Sequence, residues 1–321
     1  MRIVVTGAAG FIGFHVARSL LADGHKVLGI DCFNDYYSIE LKRSRHALLE
    51  AESGYEGLRL DIADHDALQA AIDRFRPEAI CHLAAQAGVR HSLEHPFVYQ
   101  RSNLEGFLSV LEACRHAPVQ PRLVYASSSS VYGGNTKMPF SESDPVETPL
   151  SLYAATKRAN ELMAHSYTSL YGFQTIGLRF FSVYGPWGRP DMALWLFTDW
   201  MLQGKPIQLF NHGKMKRDFT YIDDIVAGVK ASLMFDSLDD YEIINLGNHR
   251  CEDLLDLVNI LGDELGVKPK LEMLPMQPGD VPAAFADIAR AQEKLAFSPE
   301  TPISVGIPQF VRWYQRYHGV T

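Results

Sequence analysis

Met1-Arg-Ile-Val-Val-Thr6 runs directly into Gly7-Ala-Ala-Gly10-Phe-Ile-Gly13, and residues 14–22 continue with a helical apolar period. A short buried strand passing through a glycine turn into a helix is the opening unit of a parallel, helix-covered sheet. Small residues in such a turn let backbone N–H groups and the helix N-terminus close on a pyrophosphate. The first two glycines are one residue further apart than in the G-x-G-x-x-G fingerprint. The next apolar run, Lys26-Val-Leu-Gly-Ile30, ends on Asp31. A carboxylate there can accept hydrogen bonds from an adenosine ribose and repels a 2′-phosphate, which favours NAD over NADP.

The alternation continues along the chain. Strand-like segments fall at residues 57–60, 79–83, 122–126 and 174–178, and helical patterns at 64–75, 97–115 and 153–171. This predicts an α/β fold built on a doubly wound parallel sheet over residues 1–178. Beyond Arg179 the alternation breaks at Pro186, Pro190 and Pro206, so residues 179–321 are expected to form a smaller α/β substrate lobe, with a segment near 219–247 returning to the first unit. A ligand would lie in the cleft between them. The net charge of −8 argues against a general nucleic-acid binder, though not against a local cationic pocket. Four scattered cysteines (Cys32, Cys81, Cys114, Cys251) indicate neither a disulfide framework nor a metal site. No apolar run approaches the ~18 residues of a membrane span, and the expected location is cytoplasmic.

Tyr153-Ala-Ala-Thr-Lys157, preceded by Ser127-Ser128-Ser129-Ser130, carries the chemistry. A phenol with a pKa near ~10 is a poor base at neutral pH, so a tyrosine that deprotonates an alcohol must be retuned. Positions i and i+4 share a helix face, which would set the Lys157 ammonium below the Tyr153 ring and favour the phenolate. Lowering the pKa by ~3 units requires roughly 4 kcal/mol, within reach of one lysine and a bound cationic nicotinamide.

Together with Asp61-Ile62, Leu83-Ala-Ala-Gln86, Asn103 and Arg217-Asp-Phe-Thr-Tyr-Ile-Asp-Asp224, these motifs resemble the extended short-chain dehydrogenase/reductases of the nucleotide-sugar epimerase and dehydratase group. The match covers nearly the whole chain and implies a Rossmann-type fold with NAD as cofactor. By that similarity Gly7, Gly10, Phe11, Ile12 and Gly13 hold the pyrophosphate, Asp31 the ribose, and Asp61 and Ile62 the adenine. Asn34, Leu83, Ala84, Ala85, Asn103, Ser127 and Phe180 complete the cofactor set. Tyr153 and Lys157 also hold the nicotinamide ribose, and the catalytic hydroxyl aligns with Ser128. The resemblance further implies a homodimer paired through helices 97–115 and 153–171.

Related dehydratases carry an Asp-Glu pair after that hydroxyl, and related uronate decarboxylases a nearby glutamate. Ser129 and Ser130 stand there in this chain. Neutral hydroxyls cannot drive elimination, so oxidation and re-reduction at one carbon is the expected reaction, with Tyr153 as base and then acid. Three segments resemble UDP-glucuronate 4-epimerases: Asp31-Cys-Phe-Asn-Asp-Tyr-Tyr37 with Leu41-Lys-Arg43, Ala85-Gln-Ala-Gly-Val-Arg90, and residues 180–192. Ser182 stands where many UDP-glucose epimerases have asparagine. Hydroxyls at Ser128, Ser129, Ser130 and Ser182 suit a carboxylate-bearing sugar, which an acidic pocket would repel. The resemblance places Gln86, Arg90 and Arg189 on the sugar or diphosphate side, Arg217 on the diphosphate, Gln208 and Phe210 at the uracil, and Asp280 near the UDP ribose. Gln277 replaces a common phosphate-binding arginine, for which Arg189 is the expected substitute. A UDP-glucose/galactose 4-epimerase is the alternative; a decarboxylase and an NAD-binding regulatory protein are further ones.

Two motifs are set aside. His91-Ser-Leu-Glu-His95 fits an inverted zinc-protease string, but Pro96 should end the helix that would align its imidazoles, and no third ligand is evident, so no metal is expected. Asp223-Asp224 is expected to serve as an ion-pair partner of Arg217 rather than as an acid catalyst.

Overall fold

A computed structural model describes residues 1–276 and 281–320. Seven strands form one parallel sheet: β1 Arg2–Thr6, β2 Lys26–Asp31, β3 Tyr55–Arg59, β4 Ala79–His82, β5 Arg122–Ser128, β6 Thr175–Phe180 and β7 Tyr241–Leu246. Their spatial order is β7-β6-β5-β4-β1-β2-β3. The chain winds outward from β1 in both directions, so the strand order reverses at β1, the switch point where ligands of such sheets bind.

Burial on both faces explains why the strands read as continuous apolar runs rather than alternating ones. Ile3 and Val5 of β1 join the core on one face with Val27, Cys81, Val124 and helix Phe11–Ala22. Val4 joins the core on the other with Leu28, Ile80, Leu123 and helices His65–Phe75 and Gly106–His116. Alternate residues of one strand thus anchor two helical layers, and the sheet is of the Rossmann type. After β6 come shorter pairings: Ser182–Tyr184 with Phe219–Tyr221, Ile207–Leu209 with Leu271–Met273, and Lys216–Arg217 between Glu252–Asp253 and Ala283–Ala284. These sit beyond the strand ends and supply the second wall of the cavity described below.

The helix bearing Tyr153 and Lys157, Leu152–Tyr171, starts where the Ser151 hydroxyl accepts a hydrogen bond from Ala154 N and stops at Gly172, whose φ is 77°. The helix expected over 97–115 is not one regular helix. A turn at Pro96–Tyr99 leads into a π-helical turn, Gln100–Glu105, before the α-helix Gly106–His116. The wider turn directs Asn103 inward, where Oδ1 accepts from Gln86 N at 2.8 Å and Nδ2 donates to the Gln86 carbonyl at 3.0 Å and Thr156 Oγ1 at 3.0 Å.

Below the catalytic segment lies a buried charge network. Glu161, 0% exposed, accepts from Nε of Arg179 at 2.8 Å and from its NH2 at 2.9 Å, from Arg158 at 2.9 Å and from Ser127 Oγ at 2.7 Å. It ties the Tyr153 helix to β5 and β6 at once. These donors hold its carboxyl below the usual carboxylate range against the cost of burial. Glu161→Ala leaves the buried Arg179 guanidinium uncompensated and is expected to cost about 3–5 kcal/mol in chemical denaturation. A loss below about 1 kcal/mol, the worth of a surface pair, would show that the network does not hold the layers together.

Candidate active site

A cavity of about 840 Å³ runs along the carboxyl ends of the strands, with the Gly7–Gly13 turn at one end and Gln208, Phe210 and Arg217 among its lining at the other. At the first end, Gly7 has φ of 71° and Gly13 presses on the same turn: a Cβ on Gly13 would stand 2.1 Å from the Gly7 carbonyl oxygen. Only glycine permits this closure of strand, turn and helix. Asp31 is held at the tip of β2 by Ala9 N at 3.0 Å and Phe33 N at 2.8 Å. Asp61 accepts from Ala63 N at 3.0 Å and from Arg101 at 3.0 Å. Gly10, Phe11, Ile12, Asn34, Ile62, Leu83, Ala84, Ala85 and Phe180 line the same region. A close-packed backbone turn, a carboxylate at the end of the second strand and an apolar floor fit a dinucleotide of the NAD type.

Asn103 is buried beside this region, and its amide bonds Gln86 and Thr156 and so positions the Gln86 segment of the wall. Asn34 lines the wall while Oδ1 accepts from Lys42 at 2.6 Å and Nδ2 donates to Gln86 at 3.3 Å. Gln277 and Asp280 lie outside the described residues.

Ser128 ends β5 in extended backbone, and its hydroxyl accepts from Ser130 N at 3.2 Å, capping the turn Ser129–Tyr132. It also donates to Ser130 Oγ at 3.1 Å. Ser127, Ser128, Ser129, Ser130, Tyr153, Lys157 and Ser182 all line the cavity, with Ser127 Oγ turned back to Glu161. The Tyr153 hydroxyl faces Ser128, which favours the ionised phenol.

The electrostatics differ from the expectation. Burial pushes the Tyr153 phenol up, and what draws it back is the Ser128 hydroxyl and the Arg189 guanidinium. Lys157 acts elsewhere: Nζ donates to the Ala126 carbonyl at 2.8 Å, and burial lowers its pKa to about 8 while Glu161 draws it up. Helical i, i+4 spacing sets the two residues on one face but does not aim the ammonium at the phenol.

Arg189, near enough to act on the Tyr153 phenol, is paired with Asp191 at 3.0 Å, and the Tyr36 hydroxyl donates to the same carboxylate at 2.9 Å. The Arg189 charge is therefore largely balanced within the protein, which weakens its expected role as a substitute phosphate cation. Tyr36, Lys42 and Asp191 are wall residues absent from the sequence-based set; the runs Asp35-Tyr-Tyr37 and Leu41-Lys-Arg43 and the Arg189-Pro-Asp191 triplet carried their signal. Arg90 lies 5.0 Å from the Phe210 ring centroid, and Gln208 donates to Glu272 at 3.2 Å. Arg217 lines the cavity from its short strand. The Asp223-Asp224 expectation is also corrected. Asp224 accepts from Glu300 N and Thr301 N, and the acid beside Arg217 that organises the region is buried Asp218, which accepts from Thr220, Asn248, His249 and Ala286.

The chain is 48% identical to UDP-glucuronate 4-epimerase 4 of Arabidopsis thaliana, over 98% of its length and 76% of that protein's. It superposes with a TM-score of 0.92 on UDP-glucuronic acid 4-epimerase from Bacillus cereus in complex with UDP-glucuronic acid and NAD, at 34% identity, over 99% of this chain and 100% of that one. UDP-glucose 4-epimerase from Thermotoga maritima gives 0.88 at 28% identity, over 99% and 100%. The family model for the NAD dependent epimerase/dehydratase family matches residues 3–247, from the first strand through the glycine turn and catalytic helix to β7. Carrying both that sequence pattern and the cavity that it builds, the chain belongs to the NAD dependent epimerase/dehydratase family.

Proposed function

We propose that this chain is a UDP-glucuronate 4-epimerase, interconverting UDP-glucuronate and UDP-galacturonate through oxidation and re-reduction at carbon 4. The observation that carries the reading is the hydroxyl platform at Ser128 and Ser130 beside Tyr153. The acid that touches this segment, Glu161, is consumed by Arg158, Arg179 and Ser127 and is no proton donor to a sugar. An alcohol can be deprotonated and reprotonated here, whereas among the described residues no free carboxyl group flanks Ser128 to protonate a departing hydroxyl.

Gly7–Gly13, Asp31, Asp61 and Lys157 would hold NAD, which when bound would supply a cationic ring as hydride acceptor and donor. Tyr153 takes the proton of the C4 hydroxyl and later gives it back to the same oxygen. Ser128 holds that oxygen and, standing beside the phenol, favours the ionised tyrosine once its proton turns from Ser130 toward the site. Between these events the 4-keto sugar turns to present its opposite face. A 4-keto uronate is a β-keto acid, and its carboxylate must be kept from aligning with the carbonyl π system. Ser128, Ser129, Ser130 and Ser182 are the hydroxyls available to hold it. Similarity to the Arabidopsis and Bacillus proteins supports the uronate over a neutral sugar.

Proton NMR of the purified protein with UDP-glucuronate is expected to show UDP-galacturonate accumulating, with UDP-glucose turned over more slowly or not at all. Turnover of UDP-glucose alone would overturn the uronate assignment. Tyr153→Phe is expected to keep its fold and its bound NAD while kcat falls by about 10²–10⁴-fold. Residual epimerisation within a few-fold of the wild type would place the base elsewhere. The exposed apolar side chains Phe97, Leu108, Leu162 and Leu170 on the helices implicated in pairing support a homodimer. Light scattering at micromolar concentration should give twice the chain mass, and a monomer would refute the pairing.

A further inference from the structure

The string His91-Ser-Leu-Glu-His95 behaves differently in three dimensions from its sequence reading. Pro96 does end the helical turn, which spans His91–Glu94 and leaves His95 as its cap at φ −128°. Yet the two imidazoles stay together, with ring centroids 4.3 Å apart and planes at 37°. Glu94 completes the group. One donor atom from each of His91, Glu94 and His95 lies within 4.8 Å of the others. The third ligand missing from the sequence reading is thus the glutamate inside the motif itself.

The surroundings hold one member firmly and leave two adjustable. His91 is packed between the His95 ring and the Tyr36 ring, whose centroid is 4.6 Å away, with Tyr99 at 6.0 Å. Tyr36 is itself anchored to Asp191, and Tyr99 donates to the Ala87 and Gly88 carbonyls at 2.7 and 2.6 Å. Glu94 and His95 are exposed. A tetrahedral zinc ion with bonds of ~2.0–2.1 Å holds its donors about 3.3 Å apart. Rotation of two exposed side chains toward a fixed imidazole closes that difference without moving backbone.

We infer that His91, Glu94 and His95 form a binding site for a divalent transition-metal ion of the zinc class on the rim of the cavity. Two imidazoles and one carboxylate are borderline donors that select zinc, nickel or cobalt over magnesium and calcium, and a fourth position is left to water. His91 and Glu94 line the cavity, and one aromatic ring, Tyr99, stands between His91 and Tyr153, the two tyrosine centroids being 6.2 Å apart. The ion therefore sits beside the ligand-binding space and not on the reacting hydroxyl. It is an accessory site that cross-links the turn after Arg90.

Equilibrium dialysis of the full-length, chelator-stripped protein against zinc chloride tests this, with magnesium chloride in parallel. The expected result is one zinc per chain, no magnesium, and zinc binding weakened more than about tenfold in both Glu94→Gln and His95→Asn. Cobalt(II) in place of zinc should give the intense visible bands of a four-coordinate ion, lost in the same variants. Both substitutions are of exposed side chains, and circular dichroism verifies that they fold. Zinc bound equally by wild type and variants would locate it elsewhere and overturn the site, as would no binding at all or magnesium bound as tightly as zinc.

Discussion

The buried contact between Glu161 and Arg179 is the interaction on which the site's geometry depends. Its carboxylate gathers Arg179 from β6, Arg158 from its own helix and Ser127 from β5. Arg179 in turn lies 4.8 Å from the Tyr132 ring, and the Tyr132 hydroxyl donates to Asn245 of β7 at 2.7 Å. Four elements that must agree in position to set Ser128 against Tyr153 are thus locked by one ionised group. Charge burial of this kind is expensive and adds little net stability over an apolar packing. What it adds is direction: a carboxylate with four well-placed donors tolerates one arrangement of strand and helix, where leucines would tolerate several.

That geometry changes the account of how the tyrosine is tuned. A lysine four residues along a helix suggests a direct ammonium–phenolate pairing. In the folded chain the ammonium is drawn under the helix to the Ala126 carbonyl, and Ser128 and Arg189 are the groups that favour the phenolate. Burial works against both residues, raising the phenol and lowering the ammonium toward about 8. Burial thus holds the phenol toward its protonated form, and a cation bound in the cavity beside it would favour the phenolate.

Legibility divided along physical lines. The glycine turn, Asp31, the parallel sheet and the position of Tyr153 were readable because each rests on local rules: apolar periodicity, close approach at Gly7 and Gly13, a cap at Ser151. The partners of Asn103 were not readable, because family position says that a polar residue is needed there but not which way it points, and a π-helical turn aims it at Gln86. Tyr36 and Asp191, 155 residues apart, become partners only through tertiary packing. Local rules carry no information about such a pair. The His91 motif shows the opposite limit. Helix termination at Pro96 was foreseen, but a cap residue outside the helix can still stack its ring on the turn that it closes.

A chain with a net charge of −8 must still attract a ligand that carries a diphosphate and a carboxylate. It does so by sorting charge rather than accumulating it. Lys42, Arg90, Lys157, Arg189 and Arg217 all face one cavity. Part of that charge is already balanced, Arg189 by Asp191, while Lys42 is held in place by the Asn34 carbonyl oxygens at 2.6 Å. Neutralised cations hold their positions without a ligand and cost little to desolvate when one arrives. The hydroxyls near Tyr153 follow the same logic. They can hold a carboxylate without the charge that would favour its expulsion as carbon dioxide or interfere with the phenolate. Selectivity for a uronate then comes from replacing acids with neutral donors next to the base, while cations further along the cavity supply the attraction.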